Sequence, residues 1–453
     1  MDESRSPNSV ARLRSSLRST LQITSHHLLT INRYNTQTLR SQPLLEISGS
    51  FGDLGTLLPL LIALTTTSSI SLSATLVFSG LANILTGLVY GIPLPVQPMK
   101  AIAAIAIAEN FSPDVTASAG LFVAAAIGML SLTGTMGWVT KRVPVPVVKG
   151  IQVGTGLSLA MSAGRLYRPG PGNLVILVTA FVGLLLSARL KRVPYALILF
   201  VVGVLCVVYQ SADRSDPRYR NWPHLSIWKP TTSVPSTAAF ERGFLEAGIG
   251  QLPLTALNSV IAVSFLAADL LPEVPTPSVT SIGISVAAIN LVACWFGAMP
   301  VCHGSGGLAA QFRFGARSGA SVIFLGVLKL VLGLFAHKIA LWAFLGFPSV
   351  LLCVLVIAAG LELAKVGESL NTDGSKDLEI TYHLDGNGKA GVQLTEEERM
   401  RRWMTMLATV AGTMAFHNTG VGFLAGMLCF GTQKLMDWWE ERRRRGRIRL
   451  EGA

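Results

Sequence analysis

The chain has 453 residues, of which 50% are hydrophobic and only 14% are charged, and its mean hydropathy is +0.51. This composition excludes an ordinary soluble protein, whose core could not bury so much apolar surface, and favours an α-helical membrane protein. The net charge of +12 does not indicate nucleic-acid binding, because the basic residues cluster in the tails and short loops, the pattern that orients membrane proteins.

Much of the positive charge lies at the two ends of the chain. Residues 1–43 and 438–453 form basic tails, and we expect both on the cytosolic side, which implies an even number of membrane crossings. We interpret residues 1–43 as a disordered tail. The alternative is an organelle transit peptide, because residues 5–42 are rich in Ser and Arg and lack acidic residues. The sequence leaves the plasma membrane and the vacuolar membrane as open alternatives.

Apolar runs of span length predict fourteen segments, seven in each half of the chain. In the first half, residues 44–210, they lie at 44–66, 72–91, 96–109, 115–138, 144–163, 173–190 and 194–209. In the second half, residues 241–437, they lie at 241–266, 277–297, 304–312, 319–343, 346–364, 400–416 and 418–436. A polar loop over 211–240 connects the halves, and a second polar loop over 365–400 falls on the cytosolic side.

Three landmarks recur in the same order in the two halves, about 200 residues apart. They pair Gly52–Pro59 with Gly250–Leu257, Pro95–Pro98 with Pro300–His303, and Pro144–Ala160 with Pro348–Ala364. Because each half has an odd number of crossings, the second half must be inverted relative to the first. We therefore predict an all-α membrane protein with a 7+7 inverted repeat.

The third and tenth segments are short, and each follows a stretch that contains Pro and Gly. We predict that both are half-helices that begin inside the membrane. Such a helix leaves its first backbone N–H groups unpaired and carries roughly half a unit of positive charge at that end, so it favours a negatively charged group. If the halves are inverted repeats, the two helix starts face each other and form a cradle for an oxyanion.

Eight residues associated with these helix starts are candidates for substrate binding: Gln97, Lys100, Gln251, His303, Gly304, Ser305, Gly306 and Gly307. Glycine lets the backbone approach a ligand, the side chains of Gln, Ser and His can donate hydrogen bonds, and lysine adds a full positive charge. Structural explanations stay open: the glycines for close helix packing, Lys100 for neutralising a buried acid, and His303 for capping the helix.

Asp53 is the most unusual acidic residue, because it lies inside the first predicted segment, where a carboxylate is costly without a partner. Two roles stay open: a carrier of a coupling proton, or an ion pair with Lys100. Gln251 occupies the matching position of the second half. Lys329 and Glu362 also lie in predicted segments, but away from the half-helix starts, and we assign them structural roles.

The sequence contains no recognisable nucleophile–base pair, phosphate-binding loop or cysteine spacing for a metal. We therefore predict neither a cofactor nor an enzymatic activity, and we interpret the five cysteines as reduced and structural. A channel is a further alternative, but broken helices at a repeat axis favour a carrier.

Three stretches make the sequence recognisable: Phe51–Thr56, Pro93–Lys100 and Pro300–Gly307, the last continued by Phe312–Gly319. They resemble the signatures of eukaryotic molybdate transporters, a branch of the sulfate-permease-like transporters that here lacks the soluble C-terminal STAS domain. The resemblance covers about residues 44–437.

The resemblance implies a fold divided into a core and a gate domain, and alternating access by movement of one domain against the other. It also implies molybdate as the substrate, with membrane lipids as the surroundings. A sulfate or mixed oxyanion carrier stays an alternative, because both anions are tetrahedral and doubly charged. A homodimer is likewise left open.

Overall fold

A computed structural model of the chain describes residues 28–52, 54–187, 195–211, 224–371 and 394–451, which are predominantly helical. The elements of the first half are α1 (28–41), α2 (Pro43–Ser50), α3 (Leu54–Thr66), α4 (Leu72–Tyr90), β1 (Val96–Pro98), α5 (Lys100–Ala108), α6 (Pro113–Leu132), α7 (Met136–Arg142), α8 (Val145–Leu166), α9 (Asn173–Ser187) and α10 (Tyr195–Ser211). Those of the second half are α11 (Thr237–Leu270), α12 (Val279–Ala293), β2 (Val301–His303), α13 (Ser305–Arg313), α14 (Ala320–Phe335), α15 (His337–Leu345), α16 (Ser349–Ala364), α17 (Glu396–Phe416) and α18 (Thr419–Glu451).

The described helices have the length and composition of a membrane protein. Five of them are long and apolar enough to cross a bilayer, and the bent pair α14–α15 makes a sixth if it is one span. The outer faces of these helices carry exposed leucine and valine side chains, for example Leu81, Leu85 and Val89 on α4. An apolar surface of this kind is suited to contact with lipid.

Two predicted segments are broken rather than continuous. The segment predicted over 44–66 is divided into α2 and α3, and the segment predicted over 319–343 becomes α14 and α15, which are bent by 91°. Gly52 lies at the first break, and a Cβ there would lie 2.8 Å from the carbonyl oxygen of Ala310, so the close packing at this point requires glycine. A hydropathy profile reports the composition of a segment and not the direction of its helix axis, so neither break could be predicted from the apolar runs.

Residues 28–41, which lie within the tail interpreted as disordered, form the helix α1. Ile31 is only 3% exposed. The Asn35 amide donates to the carbonyl of Gly87 at 2.9 Å and accepts from the N–H of Gly319 at 2.9 Å. These contacts anchor α1 to the ends of α4 and α14. At the other end of the chain, the helix α18 continues through the described part of the predicted basic tail to Glu451.

Glycines bring two helix pairs into backbone contact. Between α4 and α14, a Cβ at Gly80 would lie 2.8 Å from the carbonyl oxygen of Gly326. Between α8 and α16, a Cβ at Gly156 would lie 2.6 Å from the carbonyl oxygen of Gly360, and one at Gly360 would lie 2.5 Å from that of Gly156. Small residues at such crossings permit the close approach typical of helices in membranes.

The short helix α5 lies inside the bundle. Its residues Ala101–Ala108 are all buried, and it packs along α8 and against α3 and α6. The other short helix, α13, packs against α2 and the end of α11. The helix α5 and both strands therefore lie in the interior, whereas α13 buries one face, with Gly307, Leu308 and Gln311, and exposes the other.

Candidate functional site

The strands β1 and β2 form a two-stranded antiparallel ribbon in which Val96 pairs with His303, Gln97 with Cys302 and Pro98 with Val301. The helices α5 and α13 begin two residues after their strands. Because the strands are antiparallel, the helices start from opposite ends of the ribbon. Each helix therefore starts beyond its own end of the three-residue ribbon.

Glycine and proline produce this geometry. Gly91 and Gly297 have φ values of +67° and +68°, and each ends the helix that precedes its strand. Prolines then follow at positions 93, 95 and 98 in the first half and at position 300 in the second. Proline has no N–H and fixes φ, so the chain stays extended until the short helices begin.

Side chains from neighbouring helices complete the outer edges of the ribbon. Asn83 of α4 accepts from the N–H of Val96 at 2.7 Å. Asn290 of α12 accepts from the N–H of Val301 at 2.7 Å and donates to its carbonyl at 2.6 Å. Buried edge groups away from water need such partners, so the two asparagines make the ribbon stable inside an apolar bundle.

The edge of β1 has a second partner, Lys329. Its Nζ donates to the carbonyl of Val96 at 3.3 Å, and the residue is 5% exposed. The prediction that Lys329 lies away from the half-helix starts is therefore wrong. Hydropathy located it on a span, but only the packing of α14 on α4 brings it to the ribbon. Glu362, by contrast, lies on the exposed surface of α16.

Gln251 completes the start of α5. Its Oε1 accepts from the N–H groups of Ala101 at 3.0 Å and Ile102 at 3.3 Å, and its Nε2 donates to Thr255 at 2.9 Å. Two of the unpaired N–H groups at this helix start are thus satisfied by a side chain from α11. Gln251 reaches the predicted site, and in this structure it caps a helix.

Gln97 covers the start of α13. Its side chain lies against Gly304 and Gly307 so closely that a Cβ at either position would overlap it. Gln97 is 2% exposed, and its Nε2 has no hydrogen-bond partner among the described residues. Gly306 differs from its neighbours, because it is exposed and a Cβ there would meet nothing within 4 Å. A buried donor without a partner at a helix start is suited to an oxygen of a ligand.

The two remaining polar residues predicted for the site, Ser305 and His303, have protein partners. Ser305 donates to Asn258 at 2.7 Å, and the Nε2 of His303 is 2.9 Å from the hydroxyl of Ser285. Asn258 was not among the residues predicted for the site. A signal was present, because Gln251, Thr255 and Asn258 follow the i, i+4, i+7 spacing that places polar groups on one face of an apolar helix.

Lys100 is the first residue of α5 and is half-buried. It follows Met99, whose N–H donates to the carbonyl of Pro300 at 2.8 Å. The predicted partner Asp53 lies outside the described residues, between α2 and α3. Of the predicted site residues, the structure therefore gathers those of β1, α5, α11, β2 and α13 around one ribbon.

Comparison with known proteins gives a family. The family model described as "Molybdate transporter of MFS superfamily" matches residues 45–159 and 243–363, ranges that include both strands of the ribbon and both short helices. This match confirms the resemblance seen in the sequence.

Three curated proteins are similar over most of the chain. Molybdate transporter 2 of Arabidopsis thaliana is 39% identical over 384 residues, which cover 72% of this chain and 79% of that protein. Molybdate transporter 1 of the same plant is 37% identical over 389 residues, which cover 76% and 84%. Molybdate transporter 1 of Chlamydomonas reinhardtii is 31% identical over 500 residues, covering 84% and 90%.

Solved structures show the same fold at low sequence identity. The transmembrane domain of the cyanobacterial bicarbonate transporter BicA has a TM-score of 0.54 at 15% identity and covers 76% of this chain and 94% of that one. SLC26A9 has a TM-score of 0.61 at 12% identity, covering 96% and 71%. The three curated relatives and BicA are all named as transporters. Given the family match and the identity over most of its length, the chain belongs to the molybdate transporter family.

Proposed function

We propose that this chain is a secondary transporter that carries molybdate across a membrane and binds it where α5 and α13 begin. The observation that carries the proposal is the ribbon, which leads into both short helices and places Gln97, a buried donor without a partner in the described chain, against the start of α13. Each helix start carries roughly half a positive unit. With the charge of Lys100 they amount to about two units, which matches a dianion.

The candidate residues would have two kinds of role: some would bind the charge of the anion, and others would shape the site around it. Lys100 and the first N–H groups of α13 face the anion, Gln97 donates to one oxygen, and Gly306 leaves space for the ligand. Gln251, Ser305 and His303 hold the helix starts through their protein partners, and Gly304 and Gly307 make room for Gln97. Asp53 is the candidate for proton coupling.

We further propose that the chain is a 7+7 inverted repeat that works by alternating access. Support comes from paired features of the two halves: Asn83 and Asn290 hold the two strands, and Gly91 and Gly297 end the helices before them. Gly156 and Gly360, matched in the repeat, also contact each other reciprocally, as residues near a two-fold axis do. The core would comprise α2–α6 and α11–α15, and the gate α8–α10 and α16–α18.

Uptake of labelled molybdate into cells that lack their own carrier tests this function. We expect saturable uptake that requires the chain and is lost in Lys100→Ala, with sulfate as a competitor to rank the two anions. Uptake without saturation would favour a channel. Stronger transport of sulfate than of molybdate would favour the alternative of a sulfate carrier, and full activity of Lys100→Ala would remove that residue from the mechanism.

Proton coupling needs its own measurement. We expect an inward proton gradient to increase uptake by the native chain and to have little effect on Asp53→Asn. A gradient effect that survives in Asp53→Asn would assign coupling to another group.

A further inference from the structure

The long helix α11 is bonded to the starts of both short helices. At the start of α5, Gln251 accepts from the N–H groups of Ala101 and Ile102. Seven residues further along α11, Asn258 accepts at 2.7 Å from the hydroxyl of Ser305, the first residue of α13. A single helix therefore holds the two helix starts relative to each other.

The part of α11 that contacts the second half of the ribbon is locally widened. Residues 255–261 form π-helical turns, and Asn258 lies in the middle of them. The next residue, Ser259, donates to the Sγ of Cys302 in β2 at 3.2 Å. Wide turns of this kind are rare within α-helices and are frequent at functional sites. Here the wide turn lies where α11 bonds both β2 and the start of α13.

The bond between Asn258 and Ser305 borders open space. Both residues are half-buried, and the neighbouring Gly306 is exposed, with nothing within 4 Å of a Cβ built on it. Gln97 lies against Gly304 and Gly307 of the same helix start. The start of α13 is therefore held by Gln97 and by Asn258, next to the space that the proposed function gives to the anion.

We propose that α11 is a strut between the two helix starts, and that Asn258 is a positioning residue which, through Ser305, makes the site prefer large tetrahedral dianions over small ones. A helix start that is held in place presents its N–H groups at fixed positions, so an anion of matching size binds without the cost of ordering them. A smaller anion reaches fewer of these donors at once. This inference rests on the proposed function.

Molybdate, tungstate and sulfate provide the test, because all three are tetrahedral dianions and sulfate is the smallest. In Asn258→Ala we expect the KM for molybdate and the inhibition constant for tungstate to rise about fivefold, the effect of one lost hydrogen bond, while the inhibition constant for sulfate changes little. The preference for molybdate over sulfate then falls by the same factor. An equal change for all three anions, or no change, would overturn the proposal.

Ser305→Ala removes the same bond from the side of α13. We expect the same fall in preference, and no further fall when this change is combined with Asn258→Ala, because the two side chains act through one interaction. Losses that add in the double variant would mean that the side chains act separately, and would overturn the positioning role. Because the two changes lie on different helices, either one tests the proposal if the other variant does not fold.

Asn258→Asp is the conservative variant. It keeps an oxygen that can accept from Ser305 and adds a negative charge. That charge repels the three dianions alike, so we expect all three constants to rise together while the preference for molybdate over sulfate stays close to native. A preference as low as that of Asn258→Ala would contradict the proposal, because the bond to Ser305 would then not be what sets it.

Ser264 offers a matched control on the same helix. Its hydroxyl donates to the carbonyl of Pro277 at 2.8 Å, away from both short helices. We expect Ser264→Ala to leave the preference unchanged, and a fall equal to that of Asn258→Ala would overturn the proposal, since any lost bond of α11 would then have this effect. Failure of the native chain to take up molybdate would instead refute the proposed function, so the two failures are distinguishable.

Discussion

Gln97 is the side chain through which β1 reaches the start of α13. Gln97→Leu keeps most of the volume against Gly304 and Gly307 and removes the unpartnered donor. A hydrogen bond to a charged group contributes about 1.5–3 kcal/mol, so we expect the KM for molybdate to rise about tenfold to a hundredfold, with a smaller change in the maximal rate. Steady-state uptake measures both constants.

Gln311 is a matched control for this change. Its amide is also buried with an Nε2 that has no partner among the described residues, but it lies in the last turn of α13, where its Oε1 accepts from Ser321 at 3.0 Å. Gln311→Leu should lower stability and leave the KM unchanged. A similar rise of the KM in both variants would mean that the effect of Gln97→Leu comes from altered packing.

Gly304 and Gly306 should respond differently to the same added methyl group. Gly304→Ala overlaps Gln97, and overpacking of this kind costs about 1–3 kcal/mol, so we expect a lower unfolding temperature of the purified protein. Gly306→Ala meets open space and should keep the native unfolding temperature, while its KM for molybdate rises because the ligand uses that space. Native uptake by Gly306→Ala would place the anion elsewhere.

Between elements, Glu46 joins α2 to the start of α14. The residue is 1% exposed, and its Oε1 accepts from the N–H of Arg317 and from the N–H and hydroxyl of Ser318, all at 3.0 Å. Glu46→Leu leaves these donors unsatisfied, and we expect it to destabilise the fold by about 3 kcal/mol. Glu46→Gln keeps the accepting oxygen, so it should destabilise the fold by less than half as much as Glu46→Leu. Thermal unfolding in detergent compares the two; equal losses would assign the effect to the charge.

The sequence predicted the elements whose signals are local. Prolines and glycines located the two short helices, since clusters of these residues disfavour a helix in the stretch before each start. The two strands were not predicted, and residues 96–98 fell inside a predicted helical segment. Contacts between distant helices left no such signal. The approach of Lys329 to Val96 spans 233 positions of sequence, and the 91° bend between α14 and α15 follows no change of composition. Asn258 lies between these two cases, because its spacing from Gln251 places both residues on one face of a helix and could have indicated its role.

The whole molecule is asymmetric around its two short helices. The end of α5 is bonded to α8, where the Arg165 guanidinium donates to the carbonyl of Ala108. The next residue, Glu109, has its carboxylate 3.5 Å from the imidazole of His417 at the end of α17. In the proposed topology these ends share the non-cytosolic side. The counterpart α13 packs on core elements, α2 and α11. We therefore interpret this conformation as closed on the non-cytosolic side.

Arg165 should hold that side closed. Removing its bond in Arg165→Gln costs the closed state about 1–3 kcal/mol, so backbone amides near Glu109 and the end of α8 should exchange hydrogen several-fold faster. Arg168→Gln is the control, because Arg168 lies just beyond α8 and its carbonyl, which the substitution keeps, accepts from the amide of Asn173 at 3.0 Å. Hydrogen-exchange mass spectrometry of the three proteins measures this. Equal exchange in Arg165→Gln and the native chain would show that α5 is not held to the gate at this end, since the closed state would then persist without the bond.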